Sequence, residues 1–269
     1  MLQEGQDLLA EANELNAFLD TLKDELWDTP TTFMEWTPWD VVAHLHYFDL
    51  VSISALQGEE IFVPERNALM KEIMAGSNNK TIARERFGAI SPDELRNRWI
   101  ETCTDMATQL GDSDPKRRLP WFGPDMGVRM FTTARYMETW SHSQEIYDLA
   151  GVERTYNDRI KHICAIGVRT FGWTFVNRKM DVPGEPPYIK LTAPSGDTWE
   201  WNEDAKDDGR GESITGLASE FCHVVTQGRN VAETNLAVSG DVATLWMSIA
   251  QCFAGGPVDP PKVGIRAGK

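Results

Sequence analysis

Glu138 and His142 stand four residues apart in the run Arg135-Tyr136-Met137-Glu138-Thr139-Trp140-Ser141-His142. At about 100° per residue a helix places them about 40° apart on one face, one turn from each other. A carboxylate and an imidazole presented together are two donors for a divalent cation. His44 offers a third from a separate helical stretch, where Val41, Val42, Leu45 and Phe48 form an apolar stripe that turns the ring inward. Two histidines and one carboxylate with an open position make a catalytic metal site rather than a structural one. Spacing alone leaves other readings open. An inward His44 can be a hydrogen-bonded core residue, and Glu138 with His142 can be a surface pair. His46 lies about 200° around the helix from His44, off that face, and is a poor ligand candidate.

These residues need helices to position them, and the first half of the chain reads as helical. Leu8, Leu9, Ala12, Leu15, Phe18, Leu19 and Leu22 recur at helical spacing and predict an opening helix over about 3–26. Thr37-Pro38-Trp39-Asp40 starts a second helix, with Thr37 as N-cap, Pro38 at the first helical position and Asp40 in the first turn. It runs to about residue 56 and carries His44. A shorter helix is expected near 64–75. Ser91-Pro92-Asp93-Glu94 opens another, to about residue 110. The helix of about 128–150 carries Glu138 and His142 and stops at Gly151.

The second half changes character. A helix near 157–178 precedes the break at Pro183, Gly184, Pro186 and Pro187. Residues 188–193 and 198–201 alternate about Pro194-Ser195-Gly196-Asp197 as a β-hairpin. An acidic loop spans 203–211, helices are expected near 215–227 and 241–254, and a short strand near 236–238. The fold class is therefore α+β: a four-helix bundle over residues 1–152 and a smaller α+β domain over 153–269.

The bulk properties exclude several partners. The 269 residues are 41% hydrophobic and 25% charged, enough for a real core. A net charge of −15 argues against nucleic acid and against an anionic membrane surface. No stretch is apolar enough to span a membrane, and the polar, acidic start does not read as a signal peptide. Cys103, Cys164, Cys222 and Cys252 are scattered without a C-x-x-C, as reduced thiols of a cytoplasmic protein are.

Trp39-Asp40-Val41-Val42-Ala43-His44-Leu45, followed by Arg135-(x)2-Glu138-(x)3-His142 and Leu149-Ala150-Gly151, resembles the N-terminal domain of the mycothiol-dependent maleylpyruvate isomerases, among the DinB-like metal-dependent enzymes. Residues 191–199, 221–227, 238–241 and 249–255 are similar to the C-terminal domain found with it in actinobacterial proteins, a half that is also similar to sterol-carrier-like domains. The resemblance covers nearly the whole chain. It implies that His44, Glu138 and His142 are the metal ligands, with water or substrate at the remaining positions. Zinc is the default metal, and iron or nickel the alternatives.

The chemistry implied is thiol chemistry. A free thiol with a pKa of about 8.5 is mostly protonated at neutral pH, and coordination to a divalent cation deprotonates it. A low-molecular-weight thiol of the mycothiol type would then attack a small electrophilic substrate. The outcome is S-transfer or thiol exchange, or else addition, bond rotation and elimination, which isomerises a double bond. The isomerases also use a C-terminal-domain arginine. Arg229 is the candidate here for holding a carboxylate or sugar, and His223 is a weaker substrate-binding candidate. Relatives with this tail often carry a second basic residue where Gly228 stands, a departure that bears on substrate class. Arg135 is placed either to hold the Glu138 carboxylate from behind or to make a surface ion pair. Trp121, Trp140, Trp173, Trp199 and Trp201 can line a cleft, but packing explains each of them as well.

Two other classes fit the same residues. A metal-dependent hydrolase or cyclase would keep the triad and need no thiol. A non-catalytic carrier of an apolar ligand would not depend on His44, Glu138 or His142.

Overall fold

The computed structural model describes residues 1–88 and 90–266. The chain divides into two compact units, Met1–Val152 and Glu153–Lys269. The first is helical: α1 (Gln3–Asp20), α2 (Pro38–Gln57), α3 (Glu59–Met74), α4 (Asn79–Phe87), α5 (Pro92–Asp112) and α6 (Val128–Ala150). α2 and α6, which carry the candidate ligands, pack in a bundle with α1 and α5. Its core includes Leu8, Leu15, Val41, Leu45, Trp99, Met106, Phe131 and Trp140, all buried. α3 and α4 lie against α2.

The start of α2 is set by its cap. Thr37 accepts from the Asp40 amide at 3.3 Å, and the Thr37 amide donates to Asp40 Oδ2 at 2.9 Å. Two helix-end donors are thereby satisfied. Asp40 is also paired with Arg84 and Lys80 of α4. α6 ends where Gly151 takes a left-handed conformation at φ 66°, which glycine adopts without steric cost. Between α5 and α6 a two-residue antiparallel pair, β1 (Arg118–Leu119) and β2 (Met126–Gly127), closes a loop that holds Trp121 and Phe122.

In the second unit, α7 (Lys161–Arg169) and α8 (Phe171–Asn177) precede a four-stranded sheet. Its strands are β3 (Tyr188–Thr192), β4 (Thr198–Trp201), β5 (Ser213–Leu217) and β6 (Ala237–Ser239), in the order β4-β3-β5-β6. β3 and β4 form the expected hairpin, with Leu191 opposite Trp199. β5 runs parallel to β3, and β6 antiparallel to β5. α9 (Ala218–Val225) packs on β3, β5 and α7; α10 (Asp241–Ile249) follows β6.

Several expected boundaries move. The opening helix stops at Asp20, where the Thr21 hydroxyl donates to the Phe18 carbonyl and competes with the helical ladder. α3 starts at Glu59 rather than near 64, so Pro64 lies inside it. The helix expected over 157–178 breaks at Thr170, whose hydroxyl donates to the carbonyls of Ile166 and Gly167. The helix expected from 215 begins as strand β5. There a Cβ at Gly216 would lie 2.8 Å from Leu236, so glycine permits the close approach. Among the described residues, no helix is long and apolar enough to cross a membrane.

Candidate metal centre

His44 of α2 and Glu138 and His142 of α6 converge, each offering one donor atom within 4.8 Å of the other two. Glu138 Oε2 is 3.3 Å from His142 Nε2 and 3.9 Å from His44 Nε2. The helical spacing of Glu138 and His142 and the packing of α2 on α6 together produce this geometry. The His44 side chain is 7% exposed, His142 13% and Glu138 25%, so the group is recessed but reachable.

The protonation states suit a cation. Burial alone would raise the Glu138 pKa. The His142 ring at 3.3 Å, the His44 ring at 3.9 Å and the charge of Arg135 overcome it and hold the carboxyl well below the usual range. Burial pushes His44 down to about 4, so its imidazole is neutral at pH 7, the form that ligates. An ionised carboxylate and two imidazoles on one point are a donor set for zinc or a neighbouring transition metal.

Aromatic rings fix the imidazoles. Trp36 stacks on His142 at 5.6 Å between ring centres and 3° between planes, and meets His44 edge-on at 5.0 Å. Phe33 meets His142 edge-on at 5.4 Å, and Phe48 lies 4.8 Å from His44. His44 Nδ1 has no hydrogen-bond partner among the described residues, so packing rather than a hydrogen bond from behind sets that ring. Phe33 and Trp36 come from a turn in which Met34 and Glu35 are both left-handed, at φ 48° and 56°. Each such residue costs about 1–2 kcal/mol. The Trp36 amide donates to the Phe33 carbonyl at 2.9 Å, the Thr31 amide to the Trp36 carbonyl at 2.7 Å, and Lys80 to the Glu35 carbonyl at 2.7 Å. Those bonds hold the strained turn shut.

Arg135 is placed differently from either expectation. It is 4% exposed, so it is no surface ion pair, and its hydrogen bonds go to Asp49 rather than to Glu138. Asp49 is fully buried on α2, and Arg135 reaches it at 2.9 Å from α6. Arg135 acts on Glu138 through its charge alone. Asp49 and the rings of Phe33, Trp36 and Phe48 have no local sequence signal as site residues. Pairing Asp49 with Arg135 across 86 positions needs the fold.

The second unit holds the other two candidates. His223 on α9 is buried, its Nε2 2.8 Å from the Tyr156 hydroxyl. Burial first, then the charges of Arg229 and Arg154, push its pKa well down. Arg229 is half-buried just beyond α9 and donates to the Gly228 carbonyl at 2.8 Å. A Cβ at Gly228 would lie 3.1 Å from His223 Nδ1, so a side chain there would crowd that ring. Of the tryptophans, Trp140 and Trp199 are packed inside, Trp121 and Trp201 are half-buried, and Trp173 is 40% exposed.

Comparison with known proteins matches residues 8–147 to the mycothiol maleylpyruvate isomerase N-terminal domain. Uncharacterized proteins of two Mycobacterium tuberculosis strains, CDC 1551/Oshkosh and H37Rv, are each 34% identical over 252 residues, 93% of this chain and 95% of theirs. Among solved structures, the mycothiol-dependent maleylpyruvate isomerase superposes with a TM-score of 0.56 at 12% identity, over 85% of this chain and 89% of that one. A histidine-to-alanine mutant of that enzyme gives 0.55 at 12% identity, over 86% and 90%. At that identity the likeness concerns the fold.

Proposed function

The chain belongs to the mycothiol maleylpyruvate isomerase N-terminal domain family, and from that premise we propose a divalent-metal-dependent enzyme that uses a mycothiol-type thiol on a small electrophile. The reaction is S-transfer, or isomerisation by addition and elimination. The observation that carries this reading is the convergence of the Glu138 carboxylate and the imidazoles of His44 and His142, with donor atoms within 4.8 Å of one another. Those three residues would hold the cation, zinc by default. Bound there, it would supply the electrostatic pull that makes a thiol a nucleophile at neutral pH.

The chain's own residues do the rest. Trp36, Phe33 and Phe48 fix the imidazole rings and keep water from their faces. Arg135, anchored by Asp49, adds its charge to the influence of the nearby histidine rings that lowers the Glu138 pKa. Arg229 is our candidate for holding a carboxylate or the sugar hydroxyls of the thiol, and His223 for supporting the bound molecule beside it.

The test is turnover of a maleylpyruvate-type cis-enoyl electrophile by zinc-loaded protein, with and without mycothiol. The proposal expects turnover only when metal and thiol are both present. Metal-dependent turnover without thiol would replace it with the hydrolase or cyclase reading, which keeps the same triad.

A further inference from the structure

Lys80 sits in the first turn of α4, where the helix dipole disfavours a cation and where this helix carries no acidic residue to balance it. What holds the ammonium there lies on other segments. Its Nζ donates to the Glu35 carbonyl at 2.7 Å and stands 3.4 Å from Asp40 Oδ2. Glu35 belongs to the turn that carries Phe33 and Trp36. Asp40 belongs to the first turn of α2, about one helical turn before His44. A single ammonium therefore joins the turn that carries the rings to the helix that carries a donor.

We propose that Lys80 is a positioning residue of the metal centre: its bond to the Glu35 carbonyl holds the turn of Phe33 and Trp36 closed, and that turn seats the His44 and His142 imidazoles. This rests on the metal reading above and adds to it a determinant from a helix outside the triad.

The turn needs a clamp. Met34 and Glu35 are left-handed at φ 48° and 56°, and neither is a residue type that takes that conformation readily. Such a backbone persists only where its surroundings impose it. The Trp36 amide bond to the Phe33 carbonyl and the Thr31 amide bond to the Trp36 carbonyl join neutral groups. The bond from Lys80 is charge-assisted, and bonds of that kind are roughly twice as strong. The product of the turn is a set of ring contacts. Trp36 lies parallel to His142 at 5.6 Å and edge-on to His44 at 5.0 Å, and Phe33 lies edge-on to His142 at 5.4 Å. Opening the turn would disturb all three together. Asp40, by contrast, has other partners. Arg84 pairs with it from the same helix, and the Thr37 amide and hydroxyl donate to its Oδ2 at 2.9 and 3.0 Å. What Lys80 adds is the bond to the turn, made from a position unfavourable to its own helix, and local rules of that kind are broken where function requires it.

The test reads metal binding, not turnover. Cobalt(II), whose visible absorption reports coordination geometry, is titrated into metal-stripped full-length protein. Lys80→Met keeps the aliphatic stem and leaves Arg84 on Asp40. Lys80→Gln is a second variant, polar but too short to reach the carbonyl. Both are expected to bind cobalt about tenfold more weakly than the wild type, with an altered visible band. Glu35→Gly, added to Lys80→Met, lets the turn keep its left-handed shape without the clamp and should recover most of that loss. Arg84→Met removes a partner of Asp40 but leaves the clamp, and should bind cobalt as the wild type does. Unchanged affinity and spectrum in both Lys80 variants overturn this inference alone. So does an equal loss in Arg84→Met, or a loss that Glu35→Gly leaves unrelieved, because either assigns the effect to Asp40 rather than to the turn. A wild type that takes up no cobalt overturns the metal reading and this inference with it.

Discussion

Among the described residues, two places that bring metal-binding residue types together behave oppositely. In the first unit Glu138 lies between His44 and His142, is held ionised and is 25% exposed. In the second unit the sulfurs of Cys164 and Cys222 approach to 3.5 Å, and both residues are fully buried. There burial first, then the neighbouring Cys164, pushes the Cys222 thiol well above its usual range. Cys222 donates to the Ile160 carbonyl and Cys164 to the Ala218 carbonyl, so each thiol has a backbone acceptor. Proximity of donors is common to both places. What separates them is whether the surroundings favour the charged form and leave it within reach.

That contrast can be attacked in order of expected effect. The charge surroundings of Glu138 include Arg135, whose removal strands Asp49 as a buried, unpaired acid. Arg135→Ala is expected to cost about 3–5 kcal/mol in urea unfolding. Asp49→Leu with Arg135→Met, which replaces the pair by apolar volume, should recover most of it. A loss below about 1 kcal/mol for Arg135→Ala would show that the pair does not organise this region.

The next effect is on acid stability. His46, 5% exposed and stacked on Phe87, has its pKa pushed down to about 4 by burial and then by Arg98. The folded state thus binds fewer protons than the unfolded one below pH 6.5. The contribution is complete above pH 6.5 and is lost as pH falls toward 4. The drop amounts to about 3 kcal/mol. His46→Leu should flatten this part of the stability profile, and an unchanged slope would assign the acid loss to other groups.

The smallest effect sharpens the other side of the contrast. Cys222→Ala should cost about 1 kcal/mol through lost packing and leave metal content untouched. Metal lost in that variant would make the thiol cluster the site and dissolve the contrast.

The sequence exposes those parts whose causes are local. The cap formed by Thr37 and Asp40, the stop at Gly151 and the hairpin pairing Leu191 with Trp199 all follow from short-range chemistry. Glu138 and His142 are legible for the same reason. His44 is visible as an inward histidine, but only family resemblance singles it out as their companion, because α2 and α6 meet through packing. Strand β5 is hidden because its parallel partner β3 is remote and its last residues lead straight into α9. The turn carrying Phe33 and Trp36 is hidden because its left-handed positions are Met34 and Glu35, with no glycine to mark them. The pairing of Arg135 with Asp49 has no local sign at all.

The central claim is that His44, Glu138 and His142 hold a metal. It is tested most directly by elemental mass spectrometry of the purified protein beside His44→Ala, Glu138→Ala and His142→Ala. The account predicts about one equivalent of zinc or a related divalent metal in the wild type and its loss in all three variants. A wild type that stays metal-free and rejects added zinc and iron, or variants that keep the metal, would contradict it.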